Sequence, residues 1–255
     1  EEIFHEMGVI PEVSAALEQA LASGALEPEQ QFWAYDGLIF AALKHGVRDR
    51  ADKVSEWLSA CEDIVENFGL SPTFRARLWM KRMGFAGVLG DEDGVMAALE
   101  QASRDMPDLK GHQRILAYNA AAALLSIGSH RIAEQVVSGV IEEYYEILGI
   151  TAERVIGLKQ PDFWKAIKTP SLDIDDVKHL ADALELLAKI GKETGRRVPL
   201  ARIHAMRFYE LSGALDSYVR AGLDVADDFV WGNDFLGARN IMEDFVLPFI
   251  QRHSM

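Results

Sequence analysis

The chain has one cysteine in 255 residues, Cys61, so it can form no internal disulfide. Its neighbours from Trp57 to Val65 read as an amphipathic helix, which predicts a buried, inert thiol rather than a nucleophile. Proline is scarce, and glycine is ordinary in number, so both punctuate helices instead of forming low-complexity tracts. β-Branched runs are few while Ala, Leu, Glu and Arg are frequent, which favours an all-helical protein. No apolar run approaches the roughly 20 residues that cross a bilayer as a helix, and no signal peptide is visible. With a single cysteine as well, the chain is expected in the cytoplasm. Positive charge is in short supply: 26 Lys and Arg face 40 Asp and Glu, a formal net charge of -14. Such a chain is a poor partner for nucleic-acid phosphates or for an anionic membrane surface, and its acidity serves mainly to keep it soluble.

The familiar signatures of chemistry are also missing. Seven scattered histidines supply no H-E-x-x-H pair and no Cys/His quartet. The run G-F-A-G-V-L-G at 84–90 lacks the Lys-Ser/Thr and the preceding strand of a phosphate loop, and reads as small residues inside a packed helix. There is no G-x-S-x-G elbow. Asp224, Asp227 and Asp228 share one helical face, and Asp173, Asp175 and Asp176 cluster at a helix start. A helical magnesium enzyme acting on diphosphates would use such clusters on facing helices. A solvated acidic face and a helix-dipole partner explain them more simply. The chain is therefore expected to be non-catalytic, with no cofactor and no metal.

What is present is helical periodicity. Apolar positions recur at helical spacing from Pro11 to Gly24, over 29–45, over 50–68, from Ser71-Pro72 through Trp79 to Gly90, and over 92–105. Further helices are expected over 112–127 and 130–148, from about Asp173 to Gly191, and over 199–212, 214–230 and 234–252, with breaks or kinks at Gly213, Gly232 and Pro248. Residues 149–172 break the rhythm with two glycines and two prolines. This predicts helical repeats over 1–148, an irregular insertion over 149–172, and C-terminal helices over 173–255 that continue the same solenoid. The first residue is Glu1 rather than Met, which suggests a trimmed or processed chain or a domain of something longer.

The turn glycines Gly46, Gly90, Gly128 and Gly213 are 44, 38 and 85 residues apart, the last about two repeats. Trp79, Gly90-Asp91, Ala102 and Pro107 fall at the spacing of the tetratricopeptide (TPR) repeat, a helix pair of about 34 residues. The chain thus resembles the TPR-like α-solenoids, with looser copies at Ala121-Gly128-Ala133, at Gly46-Ala51 and around Tyr209-Gly213. The resemblance implies a right-handed superhelix of antiparallel helix pairs that binds a protein or peptide on its concave face. By alignment that face includes Trp33, Asp36, Phe40, Arg77, Lys81, Tyr118, Asn119 and Arg207. Asp36 stands where the family's carboxylate clamp needs Lys, which disfavours chaperone C-termini as ligands.

Of the tryptophans at 33, 57 and 79, core packing is the simpler account of all but Trp33. Residues 152–207 hold eleven Lys and Arg against eight acids, +3, which leaves −14 − 3 = −17 for the remainder. Residues 149–172, with Phe163, Trp164, Lys165 and Lys168, and residues 192–198 are a second expected contact surface, for an acidic partner or another copy of the chain. Internal ion pairing with the acidic repeats explains the same charges. The leading expectation is a scaffold or adaptor; the alternatives are a regulatory arm of a larger signalling protein and the aspartate-cluster enzyme.

Overall fold

The computed structural model describes residues 10–45, 48–148, 173–196 and 198–253, and every regular element among them is helical. Gly46 and the whole insertion, with Phe163, Trp164, Lys165 and Lys168, lie outside the described residues. The chain divides into two compact units, Glu1–Ser129 and His130–Met255.

The first unit contains α1 (Ile10–Ala22), α2 (Pro28–His45), α3 (Ala51–Phe68), α4 (Pro72–Leu89), α5 (Glu92–Asp105) and α6 (Lys110–Ser126). Consecutive helices pack on one another, and α4 also reaches across to α2 and α6. The turn between α4 and α5 shows how the sequence builds a pair. Gly90 takes the left-handed conformation at φ 78, and the amides of Gly90 and Asp91 bond back to the carbonyls of Gly87 and Ala86. Asp91 then caps α5, its Oδ1 accepting from the Gly94 amide at 2.9 Å. Two residues thus stop one helix and start the next. Gly128 and Gly213, aligned with Gly90 on sequence, share its left-handed backbone. Ser71 behaves differently. It precedes α4, but its side chain makes no capping bond, and Pro72 opens the helix where the first amide would in any case lack a partner.

The core of this unit runs through Phe32, Ile39, Val54, Leu58, Cys61, Val65 and Leu78, with Trp57 half-buried against it. Trp79 is 7% exposed, and its indole Nε1 donates to Asp105 Oδ2 at 3.1 Å. Cys61 is buried as expected, and burial pushes its thiol up to about 12. Gly87 is where α4 meets α6: a Cβ built there would lie 3.0 Å from the Cβ of Ala123. The small residues of 84–90 therefore serve helix contact.

The second unit contains α7 (His130–Ile147), α8 (Ile174–Glu193), α9 (Pro199–Ser212), α10 (Leu215–Trp231), α11 (Phe235–Ile241), a π turn (Met242–Val246) and α12 (Leu247–His253). α8 packs on α7 and α9, α9 on α10, and α10 on α11 and the π turn. Asp173 caps α8, accepting from the Asp176 amide at 2.7 Å. After α10 the left-handed position falls on Asn233, φ 59, while Gly232 keeps φ -79. The break at Pro248 takes the form of the π turn before it. Proline cannot donate to the carbonyl four residues back and its ring crowds that carbonyl, and a wider turn relieves both.

Candidate functional site

Three of the residues expected on the concave face, Trp33, Asp36 and Phe40, are spaced i, i+3, i+7 on α2, which places them on one face. Phe74, Arg77 and Lys81 repeat that spacing on α4. The two stripes meet as a ladder. Trp33 and Phe74 have ring centroids 5.5 Å apart. Arg77 Nη2 donates to Asp36 Oδ2 at 2.8 Å. Lys81 Nζ lies 4.9 Å from the Phe40 centroid and 3.4 Å from Asp36 Oδ1. Partners in the three rungs are each 41 residues apart in the chain (74 − 33, 77 − 36 and 81 − 40). A constant offset requires α2 and α4 to run in the same direction, with α3 returning between them. This arrangement is compatible with first helices of successive repeats.

The rungs differ in exposure. Asp36 is 1% and Lys81 8% exposed, so their ion pair belongs to the helix contact. Trp33 is 46% exposed, although its ring also leans on Phe32 at 5.9 Å. Arg77 bridges the two levels: its guanidinium lies 4.8 Å from the Trp33 centroid while one nitrogen is held by the buried Asp36. Lys44 adds a cation over Phe40 at 5.9 Å. Lys81 and Asp36 are thus buried as a pair, while Arg77 and Lys44 lie over the Trp33 and Phe40 rings.

Tyr118 and Asn119 are half-buried on α6, the helix that packs against α4. The Asn119 side chain donates to the Ile115 carbonyl of its own helix at 2.8 Å. Arg207 belongs to the second unit, where it lines a cleft of about 210 Å³ with Ile203, Met206, Glu210, Tyr218, Asp244 and Arg252.

Lys178, Lys192, Arg196, Arg202 and Arg207, all of the 152–207 stretch, form ion pairs within the second unit. Lys178 pairs with Asp182 at 2.9 Å, Lys192 with Asp227 at 3.1 Å, and Arg196 with Glu134. Arg202 is 4% exposed between Asp228 and Glu185. Burial pushes the Glu185 carboxyl up to about 7, with Arg202 opposing and Asp224 and Asp228 reinforcing the shift. Burial likewise lowers His204, 1% exposed, to about 4. Asp227 and Asp228, two of the three carboxylates on that face, are thus engaged by Lys192 and Arg202. Among the described residues no group of His, Cys, Asp or Glu is arranged to hold a metal ion.

Phe74, Lys44 and the Arg202 cluster were not anticipated from sequence. The first two carry a local signal: Phe74 completes the i, i+3, i+7 stripe of Arg77 and Lys81, and Lys44 lies one turn beyond Phe40. The Arg202 cluster joins three helices and has no local signal. Comparison of the chain with protein-family models returns no match, and comparison with curated proteins returns none either.

Proposed function

We propose that the chain is a non-catalytic TPR-like scaffold whose first unit holds an acidic protein or peptide segment against the Trp33–Arg77 face. The observation that carries this reading is the α2–α4 ladder. Five residues expected on a concave face come together on two parallel first helices, and the ladder leaves a tryptophan nearly half exposed beside an arginine. Tryptophan and arginine are the residues that most often anchor interfaces, because each supplies a large contact area with directional polarity. Asp36 and Lys81 hold that pair from beneath. Their burial gives the exposed residues a fixed geometry before any partner arrives, which lowers the ordering cost of binding. Carboxylates on the partner are favoured, because Arg77 and the exposed Lys44 carry positive charge on this face and arginine donates to a carboxylate through a planar fork.

Selection from a peptide-display library on the whole chain tests this reading. The expected outcome is enrichment of peptides containing Asp or Glu beside an apolar residue, with binding lost in Trp33→Ala and Arg77→Gln. Enriched peptides that bind both variants as tightly as the unaltered chain would remove the Trp33–Arg77 face from consideration.

A further inference from the structure

The second unit holds a cleft of its own, in a different unit from the Trp33–Arg77 face. It is an open cleft lined by residues of α9, α10, α11, the π turn and α12, and measures about 210 Å³. Four charges surround an apolar floor of Ile203, Met206 and Ile241. Arg207 and Arg252 approach Glu210 from different helices, Arg207 Nη1 at 2.7 Å and Arg252 Nη1 at 3.9 Å. Asp244 is the fourth charge, on the π turn. Arg207 Nε is buried and makes no hydrogen bond.

The geometry points to a binding site for a free α-amino acid with an apolar side chain. The volume sets the size. It exceeds the roughly 150 Å³ of an apolar cavity that takes benzene and falls below the roughly 300 Å³ at which drug-sized pockets begin. One compact apolar body with a small polar head fits such a space. The charges set the head. Two cations and two anions sum to zero, so a phosphate or a dication would enter uncompensated. A zwitterion brings its own balance: its carboxylate meets the guanidinium ends of Arg207 and Arg252, and its ammonium meets Asp244 and Glu210. The π turn is written into the sequence, since Pro248 disrupts the regular ladder at Asp244, and Gly222 admits the turn. A Cβ at Gly222 would come within 2.5 Å of Val246 Cγ2. π Turns of this kind recur where a helix serves a site.

The test is calorimetric titration and thermal unfolding of the whole chain with L-leucine and L-phenylalanine. The single-charge relatives 4-methylpentanoate and 3-methylbutylamine serve as comparison probes. We expect one of the two amino acids to bind at least about tenfold more tightly than either relative and to raise the unfolding temperature. Asp244→Asn and Arg252→Gln, both at exposed positions and checked for folding by circular dichroism, should each weaken binding about tenfold or more. Trp33→Ala should bind the amino acid unchanged, which separates this site from the docking face. No binding of either amino acid at millimolar concentration overturns the inference. So does equal binding of 4-methylpentanoate, or unaltered binding by both variants.

Discussion

Asp36, whose side chain has no solvent exposure, accepts a hydrogen bond at Oδ2 from Arg77 Nη2 at 2.8 Å across 41 residues of chain. That bond fixes the register of α2 against α4 and holds Arg77 beside Trp33. It is also a buried charge, so its removal is costly. Asp36→Ala takes this partner from Lys81 and Arg77 while Lys81 stays covered, and a loss of about 3–5 kcal/mol in urea unfolding is expected. The double variant Asp36→Leu/Lys81→Met should lose less than Asp36→Leu alone, because the covered Lys81 charge is then removed together with its acid.

The tryptophans separate structure from docking. Trp79→Ala empties a 7% exposed site and should cost about 3–5 kcal/mol. Trp33→Ala removes a side chain already 46% exposed and should cost under about 2 kcal/mol. Comparable losses in chemical denaturation would mean that Trp33 is a core residue and not a contact surface.

Backbone conformation gives a third contrast. Gly90→Ala places a Cβ at φ 78 and should destabilise by about 1–2 kcal/mol, whereas Gly232→Ala, at φ -79, should be nearly neutral. Asn233→Gly, at φ 59, should be neutral or slightly stabilising. Melting temperatures of the three variants check the pattern.

Glu185 and His204 set a pH dependence of opposite signs. With its folded value raised to about 7, Glu185 contributes stability at acid pH that is lost as pH rises from its ordinary value of 4.5 through 7. With its folded value lowered to about 4, His204 contributes stability at neutral pH that is lost as pH falls from 6.5 through 4. Between pH 4.5 and 6.5 the two offset each other. Glu185→Gln removes one side of the balance. Relative to the unaltered chain, the variant should gain about 2 kcal/mol between pH 5 and pH 8, at about 1.4 kcal/mol per pH unit over the window. A difference independent of pH would show that Glu185 is ionised throughout.

Features carried by neighbouring residues were legible in the sequence. Gly90-Asp91 announces a stop and a start because both capping bonds are local, and helical spacing alone places Trp33, Asp36 and Phe40 on one face. Cys61 and Trp79 read correctly as buried because their helical neighbours are apolar. The ladder itself was not legible. That Asp36 meets Arg77 depends on register across an intervening helix, which no local spacing encodes. The same holds for Arg202, counted on sequence only in the charge balance of 152–207 and found buried between Asp228 and Glu185. Pro248 announced an interruption, but the form it takes, a π turn facing a cleft, depends on how Val246 packs at Gly222.

The central claim is that the Trp33–Arg77 face binds an acidic segment. Fluorescence anisotropy of one library-selected acidic peptide against the unaltered chain, Trp33→Ala and Arg77→Gln tests it most directly. The account predicts that Kd rises at least about tenfold in each variant, with folding retained. Equal Kd values across all three proteins would contradict it.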